Sequence, residues 1–320
     1  MNDKKPRVSV VIVAGEVRYR GARALASVLG QEGIEDQEVI VIDAAATNSE
    51  RLAGADHPLV RLFRPEGSMH FGQLRGQAVR LARGEVIAFV EDHVWAHPGW
   101  LRAIAASSTD GWAAIGPEVH PGNPGLGLSD AINLVNYGLW NPPLQRGDSL
   151  LLPGNNTAYR RAVLLEYGSQ LDDLLLSDTV LQMRLKLDGH LLYAEPSARI
   201  SHLSPVTFRT AATAEFLYHR CFVLTRAQTF AWSRFRRLEY LLRSPLIPWV
   251  RLVRLGGFVF RRRSEQRGLF LSQLVPTAAL LHAAVLGQAA GLLSRRRESA
   301  AAQFTDFELN CPRPMASDFG

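Results

Sequence analysis

Cysteine is scarce in this sequence, since its 320 residues include only Cys221 and Cys311. Two cysteines exclude a disulfide scaffold and a four-cysteine zinc site, and they fit a reducing cytosolic compartment. The apolar run at residues 7–15 lacks the length of a signal peptide and a clear cleavage site, so it predicts a strand. No G-x-G-x-x-G motif follows that strand, which argues against a dinucleotide oxidoreductase.

Acidic residues are scarce in one part of the chain. Residues 205–300 hold 16 Lys and Arg but 4 Asp and Glu, a net charge of +12, whereas residues 1–204 have a net charge of −4. This asymmetry predicts a catalytic part joined to a part that contacts an anionic surface. The arginines alternate with Leu and Val, unlike the residues of a nucleic-acid groove reader. We therefore expect a membrane surface as a partner, and no nucleic acid.

The first hundred residues alternate between strand and helix patterns, which is typical of βαβ units and a mostly parallel sheet. The strand patterns cover residues 7–15, 38–43, 59–67 and 85–93, and the helix patterns cover 18–31 and 71–84. In such sheets ligands bind beyond the carboxyl ends of the strands. Three of these ends carry polar residues, namely Glu16, Asp43 and the run Glu91-Asp92-His93. The sequence thus predicts an α/β fold with a ligand site at this edge.

The run Glu91-Asp92-His93 has the chemistry of a divalent cation site. Glu91 and His93 are two residues apart at a strand end, so their side chains point to the same side. Mg²⁺ and Mn²⁺ bind carboxylate oxygens, and histidine also suits Mn²⁺. A solvated strand end followed by a turn has the same pattern, and which of the three residues contact a metal stays open.

Five segments between residues 7 and 204 resemble, in order, glycosyltransferase family 2, whose members are inverting enzymes with the GT-A fold, a Rossmann-like sheet flanked by helices. The segments are RVSVVIVAG, EVIVIDAAATN, LRGQAVRLARGEVIAFVEDHVWAHPGWL, PGNNTAYRRAVL and LLLSDTVLQMRLKLDGHLLYAEPSARISH. The third resembles the metal-binding Asp-x-Asp strand end, and the fifth the Glu-Asp catalytic helix. The sequence departs from these patterns at Glu91 and His93, where two Asp are usual, and at Ser177, where Glu is usual.

The resemblance implies transfer of a sugar from a nucleotide-diphosphate sugar to a glycan or lipid-linked acceptor, with Mn²⁺ or Mg²⁺ at the diphosphate. Asp178 matches the family's general base, although an acid at a helix start is also a capping or macrodipole residue. Asp172 and Asp173 are its nearby alternatives. The resemblance assigns Ala14, Glu16, Asp43, Glu91 and Asp92 to the donor, Glu91, His93 and His202 to the metal, and Asn155 and Asn156 to the acceptor or sugar. Arg75 is also expected to bind the donor, because arginine suits phosphate oxygens, with a solvated helix face as the alternative. Trp140 lies on an irregular segment, where an aromatic ring can stack on the face of an acceptor or donor sugar.

Beyond residue 205 the sequence predicts basic, apolar helices. Arg243, Arg251 and Arg254 fall within an arc of about 80° on a helical wheel, with apolar residues over most of the rest. Such a helix lies well in a membrane interface. Pro245 and Pro248 forbid one unbroken helix over this segment.

Residues 269–293 contain no charge and are long enough to span a bilayer, but Pro276 and His282 make a poor span. Interfacial attachment, a true span and a soluble helical subdomain all stay open, and the pattern favours the first. The predicted organisation is a GT-A domain at 1–205, a membrane-associating helical region at 206–298 and a flexible tail at 299–320. We expect a cytoplasmic protein, peripheral at the inner face of the cell membrane. The alternative functions are a catalytically impaired nucleotide-sugar-binding relative and a nucleotidyltransferase.

Overall fold

The computed structural model describes residues 5–45, 50–107, 111–294 and 296–314. The chain divides into two compact units. The first comprises the described residues within 5–120, 140–202 and 308–310, and the second comprises the described residues within 121–139, 203–307 and 311–314. Two predicted features lie outside the described residues: the end of the EVIVIDAAATN segment, at 46–48, and the last part of the predicted tail, at 315–320.

Four parallel strands form one half of the sheet in the first unit. They are β1 (Val8–Ala14), β2 (Glu38–Asp43), β3 (Val60–Phe63) and β4 (Val86–Glu91), in the order β3-β2-β1-β4. Every residue of β1, β2 and β4 is buried, because both faces of these Val- and Ile-rich strands are covered. The register pairs Ala14 with Asp43 and Val13 with Glu91. The carboxyl ends of the three strands therefore meet at one edge.

The sheet continues beyond β4 through strands that include antiparallel pairs. In the described chain these are β5 (Val94–Ala96), β6 (Ala114–Pro121), β7 (Gly147–Asp148), β8 (Ala158–Arg160) and β9 (Leu192–His202), in the order β4-β8-β6-β9-β5 with β7 also on β9. The sequence predicts two short strands in residues 190–204, but the structure has the single strand β9. Its partner changes along its length, from β7 to β5. The pairing of His202 with Val94 brings the end of β9 next to the end of β4.

Helices flank this sheet, which confirms the predicted α/β class. Those of the first unit are α1 (Arg18–Leu29), α2 (Phe71–Leu81), α3 (Trp100–Ser107), α5 (Arg161–Glu166), α6 (Leu171–Leu174) and α7 (Asp178–Leu187). The start of α2 is fixed by a capping box, in which the side chains of His70 and Gln73 each accept a hydrogen bond from the other residue's N–H. Asp178 is the first residue of α7, and the preceding Ser177 makes no capping hydrogen bond through its side chain.

Helices make up most of the second unit over its described residues. It contains α4 (Ser129–Tyr137), α8 (Phe208–Thr229), α9 (Arg234–Arg243), α10 (Ile247–Arg262), α11 (Arg267–Ser272), α12 (Leu274–Ser294) and most of α13 (Arg297–Asn310). The helices α8 and α12 approach closely because Gly287 has no side chain: a Cβ there would lie 2.1 Å from the carbonyl oxygen of Phe216.

Two sequence predictions about irregular segments are wrong. Residues 120–150 are rich in Gly, Pro and Asn, which predicts a long loop, but α4 lies inside that range and buries Ala131 and Ile132 against Ala211 and Leu280. Residues 299–320 were predicted to be a flexible tail, but α13 extends to Asn310. Both helices are short, at 9 and 14 residues, so they depend on packing against the rest of the protein more than on local sequence preference.

One helix in the described part of the chain, α12, is long and apolar enough to cross a membrane by length and composition, with a mean hydropathy of 1.4. Half of that apolar window is buried inside the protein. In contrast, no residue of α9 is buried, and in α10 only Pro248 and Val259 are. These two helices expose the large apolar side chains Phe235, Leu238, Leu242, Trp249, Val250, Val253 and Phe260.

Candidate functional site

Three buried side chains converge at the edge where β1, β2 and β4 end. The Nε2 atoms of His93 and His202 are 3.1 Å apart, and they lie 3.5 and 3.6 Å from Oε2 of Glu91. Each of the three residues is at most 6% exposed. A cation with ligand bonds of about 2.1 Å holds neighbouring ligand atoms about 3.0–3.4 Å apart. The cluster is therefore consistent with a divalent cation site, and the predicted metal ligands do lie together.

Neighbouring polar groups orient the side chains of Glu91 and His93. Asn155 and Asn156 donate hydrogen bonds to the two carboxylate oxygens of Glu91, at 2.6 and 2.7 Å, and the N–H of Glu91 donates to Asn156 Oδ1. Asp92 Oδ1 lies 3.0 Å from Nδ1 of His93. A proton on Nδ1 bonded to this carboxylate leaves the Nε2 lone pair directed at the cluster, as in many histidine metal ligands. The two asparagines predicted for the acceptor thus contact the candidate metal ligand Glu91.

Two arginines at the start of α1 lie at the same edge, and sequence reasoning missed both. Arg18 forms a two-pronged ion pair with Asp43, at 2.7 and 3.2 Å, and donates to the carbonyl of Gly15. Arg20 is 1% exposed, and its Nη2 pairs with Asp92 and lies 3.3 Å from Nδ1 of His93. An arginine at a helix start is usually solvated, so no signal in the sequence marked these two as buried.

Asp178 is also buried close by, at 1% exposure, where it contacts Arg75 and Tyr159. Nη1 and Nη2 of Arg75 donate to its two carboxylate oxygens, at 2.5 and 3.0 Å. Burial, followed by the charge of Asp178, raises the pKa of Tyr159 well above its usual value. The phenol therefore keeps its proton and donates it to Asp178 Oδ1 at 3.0 Å. Arg75 also lies over the ring of Phe89, with its guanidinium carbon 3.9 Å from the ring centroid.

A hydrogen-bond chain joins Asp178 to Glu91 in the cluster of candidate metal ligands. Arg75 Nη1, bound to Asp178, also donates to Asn155 Oδ1 at 3.3 Å, and Asn155 in turn donates to Glu91. The predicted base, the predicted donor-binding arginine and one predicted metal ligand therefore belong to a single buried network. In such a network, moving one member changes the hydrogen bonds of the next.

The remaining predicted residues have less direct relations to this network. Ala14 is buried at the end of β1, and Glu16 follows two residues later in the same loop as Gly15. Trp140 is half-buried, and its Nε1 donates to the carbonyl of Leu151 at 3.2 Å. That contact fixes the indole against its own loop. Among the hydrogen bonds of the described residues, none links Trp140 to Glu91 or Asp178.

The family model described as glycosyl transferase family 2 matches residues 9–168, half of the chain. This range contains β1, β2, β4 and the Glu91-Asp92-His93 run, whereas Asp178 and His202 lie beyond it. A search of curated proteins finds no match.

Two solved structures share the fold. One is GalNAc-T7 with UDP, GalNAc and Mn²⁺, at 18% identity and a TM-score of 0.54, covering 85% of this chain and 55% of that one. The other is the mannosyltransferase PcManGT from Pyrobaculum calidifontis in complex with GDP-Man and Mn²⁺, at 15% identity and a TM-score of 0.55, covering 89% of this chain and 87% of that one. The chain thus spans about half the length of the GalNAc-T7 chain. At these identities the likeness shows the fold, which is that of the GT-A glycosyltransferases.

Proposed function

The chain belongs to glycosyltransferase family 2, and from that premise we propose that it moves a sugar from a nucleotide-diphosphate sugar to an acceptor hydroxyl by a single inverting displacement. The observation that carries this proposal is the buried cluster of Glu91, His93 and His202 at the carboxyl edge of a GT-A sheet, joined by hydrogen bonds to Asp178. One site thus brings together groups for the departing diphosphate and a carboxylate for the attacking hydroxyl.

On the donor side, Glu91, His93 and His202 would hold Mn²⁺ or Mg²⁺. Bound there, the cation stabilises the negative charge of the departing diphosphate. Two nitrogens and one oxygen suit Mn²⁺ better than Mg²⁺, which prefers oxygen ligands. Asp92 and the amides of Asn155 and Asn156 keep the ligand atoms pointed at one another.

The nucleoside would bind beyond the ends of β1 and β2, against Ala14, Glu16 and Asp43. Carboxylates at strand ends of doubly wound sheets commonly bind ribose or base groups. The pairing of Asp43 with Arg18 adds an arginine to this edge, and arginine suits phosphate oxygens. The nucleotide would compete with the ion pair between Asp43 and Arg18 for these two side chains, and this competition would decide which nucleoside binds.

On the acceptor side, Asp178 would take the proton from the attacking hydroxyl. A carboxylate is competent for this when it is ionised and within hydrogen-bond reach. Arg75 balances the buried charge of Asp178 and fixes the orientation of the carboxylate. We therefore assign Arg75 a positioning role in addition to the diphosphate contact expected from the affinity of arginine for phosphate oxygens. Asn155 and Trp140 are the proposed neighbours of the acceptor sugar.

The second unit supports a proposal for the partner, an anionic membrane surface. On α10 the exposed residues Trp249, Val250, Val253 and Phe260 occupy an arc of about 100°, and Arg251, Arg254, Arg261 and Arg262 lie on the adjoining side of the helix. This is the pattern of a helix lying in a membrane interface. A peripheral enzyme at the inner face of the membrane would reach lipid-linked acceptors there.

The activity is tested by incubating the purified full-length protein with UDP- and GDP-sugars, with Mn²⁺ or with excess chelator. We expect sugar transfer, or slow donor hydrolysis without acceptor, only with the cation. Asp178→Asn should retain Mn²⁺-dependent nucleotide binding while turnover falls roughly 10²–10⁴-fold. Asp172→Asn is the matched control, because Asp172 is also paired with an arginine, but its side chain is 26% exposed. Turnover that is unchanged in chelator would refute the metal assignment.

A catalytically impaired relative is the second candidate, because both oxygens of Asp178 already accept hydrogen bonds from Arg75. One measurement distinguishes an active transferase from an impaired relative. An impaired relative binds the nucleotide with Mn²⁺ but neither hydrolyses nor transfers the sugar, whatever acceptor is offered.

A further inference from the structure

The last turn of α13 lies against the loop that follows β1. Residues Glu308–Asn310, which we call the C-terminal strap, belong to the first compact unit. A Cβ built on Gly15 would lie 2.3 Å from the carbonyl oxygen of Leu309 and 2.7 Å from its Cα. Backbone therefore fills the space where any other residue at position 15 would place a side chain.

Arg20 joins the strap to the metal cluster. Its Nη2 donates to the carbonyl oxygen of Glu308 at 2.8 Å and also pairs with Asp92, which in turn contacts His93. One buried guanidinium is thus shared between the strap and the carboxylate that orients a candidate metal ligand. The carbonyl oxygen of Glu308 and the carboxylate of Asp92 therefore lie on the same guanidinium nitrogen, next to the candidate ligand His93.

The three residues of the cluster are buried. Glu91, His93 and His202 are 6%, 3% and 5% exposed, so a hydrated cation or a diphosphate has little open surface through which to approach them. Much of the structure around them consists of β1, β4 and β9, which are tied into the sheet by hydrogen-bonded pairing. The strap is no part of the sheet, so it can move without breaking strand pairs.

The strap also contacts groups that suit an anion. Backbone N–H groups in a tight loop and arginine side chains are common donors to phosphate oxygens. Here the N–H of Gly15 faces Asp92 Oδ2 at 3.4 Å, and Arg20 donates to the Glu308 carbonyl. The carbonyl oxygen of Glu308 thus accepts one of the hydrogen bonds that Arg20 would otherwise have available for a phosphate oxygen.

We infer that the C-terminal strap is an autoinhibitory gate: seated on Gly15 and Arg20 it closes the metal centre, and it has to leave before the cation and the donor diphosphate enter. The inference rests on the proposed function for the identity of the diphosphate, but its claim about the cation stands by itself. A gate that is seated most of the time lowers the apparent affinity in proportion to the open fraction.

Two variants remove the gate in different ways. Truncation after Phe307 deletes the strap, and truncation after Pro314 is its control, because it leaves Glu308–Asn310 in place. Gly15→Ala should expel the strap by direct overlap with Leu309. Gly257→Ala is its control, because a Cβ at Gly257 meets no atom within 4 Å. If the shortened chain fails to fold, Gly15→Ala carries the test alone.

The first probe is Mn²⁺ alone, followed by electron paramagnetic resonance and stopped-flow mixing. We expect both strap variants to bind Mn²⁺ faster, on the order of tenfold or more, while both controls match the wild type. The second probe is hydrogen exchange of residues 304–311, which should lose protection when Mn²⁺ with UDP or GDP is added to the full chain.

The outcomes separate the gate from the proposed function. Equal Mn²⁺ association rates in the wild type and in the folded strap variants would overturn the gate, as would nucleotide binding that leaves residues 304–311 fully protected. Faster Mn²⁺ binding without binding of any nucleoside diphosphate would support the gate while contradicting the proposed sugar transfer.

Discussion

Arg75 and Asp178 form a two-pronged ion pair in the interior of the first unit, with both side chains at most 2% exposed. Taking two charges out of water is costly, and the attraction between them offsets that cost only while both are present. Tyr159 donates a further hydrogen bond to Asp178, and Leu175 accepts one from Arg75. Asp178 is therefore a structural residue as well as the proposed base.

We predict that Asp178→Asn lowers the free energy of unfolding by about 3–5 kcal/mol, because it leaves the buried charge of Arg75 without its partner. Urea denaturation of the wild type and the variant measures this difference. The control, Asp172→Asn, breaks the half-exposed pair with Arg80 and should cost at most about 1 kcal/mol. If the two substitutions lowered the free energy of unfolding equally, burial of the pair between Arg75 and Asp178 would contribute nothing to stability.

This prediction shows where sequence reasoning ends. An acid at the first position of a helix looks like a capping residue, for which Asn is nearly as good. The ion pair with Arg75 joins residues that are 103 positions apart in the sequence, and no local sequence pattern predicts such a contact. In contrast, β1, β2 and β4 and their acidic ends are predictable from the sequence, because buried parallel strands are continuous apolar runs.

The membership of the candidate metal-ligand cluster was predictable in part. Glu91 and His93 belong together by their spacing in the sequence, whereas His202 was assigned only through the family resemblance, since it is 109 residues away from His93. The contacts of Arg20 with Asp92 and with the carbonyl of Glu308 were not predictable, because they depend on how distant segments pack.

The second prediction is a graded loss of Mn²⁺ affinity. His202→Ala removes a candidate ligand and should weaken binding by more than about 100-fold, whereas Asn156→Ala removes only the two hydrogen bonds that orient Glu91 and should weaken it by about 10–100-fold. Isothermal titration with Mn²⁺ measures both. His57→Ala, at an exposed position outside the cluster, should have no effect. The cluster would lose its assignment if His202→Ala bound Mn²⁺ as tightly as the wild type.

The third prediction concerns the pH dependence of stability, through Glu38 at the start of β2. Burial by itself would raise the pKa of this carboxyl, but hydrogen bonds from Ser9, from the N–H of Arg83 and from Arg61 lower it below the usual 4.5. A lowered folded-state pKa means that the stabilisation is complete above pH 4.5 and is lost as the pH falls through the folded-state value.

Glu38→Gln should therefore destabilise the protein most near neutral pH, and the difference from the wild type should shrink at lower pH. Urea denaturation at a series of pH values checks this. The matched control is Glu32→Gln, since Glu32 has an exposed side chain in a surface pair with Arg102. A difference between Glu38→Gln and wild type that stays constant across the acidic range would contradict the assigned cause.

The last prediction tests the membrane surface of the second unit. Trp249 and Val253 are 55% and 74% exposed and lie one helical turn apart on α10. Burying such side chains in a membrane interface is favourable in proportion to their apolar area, and the neighbouring arginines add attraction to anionic lipids. The double substitution Trp249→Glu and Val253→Glu places two negative charges in the centre of this surface. It should reduce sedimentation with phosphatidylserine-containing vesicles by about tenfold or more.

The control for that experiment is Leu187→Glu, which adds a charge at a comparably exposed apolar residue, 73% exposed, in the first unit. It should leave vesicle binding unchanged. Raising the salt concentration should weaken the binding of the wild type, because exposed charges are screened, while the apolar contribution of α10 persists. Should the double substitution sediment with vesicles as the wild type does, α10 is not the contact surface. Should the wild type fail to bind at low salt, the exposed apolar side chains of α9 and α10 need a protein partner instead of a lipid one.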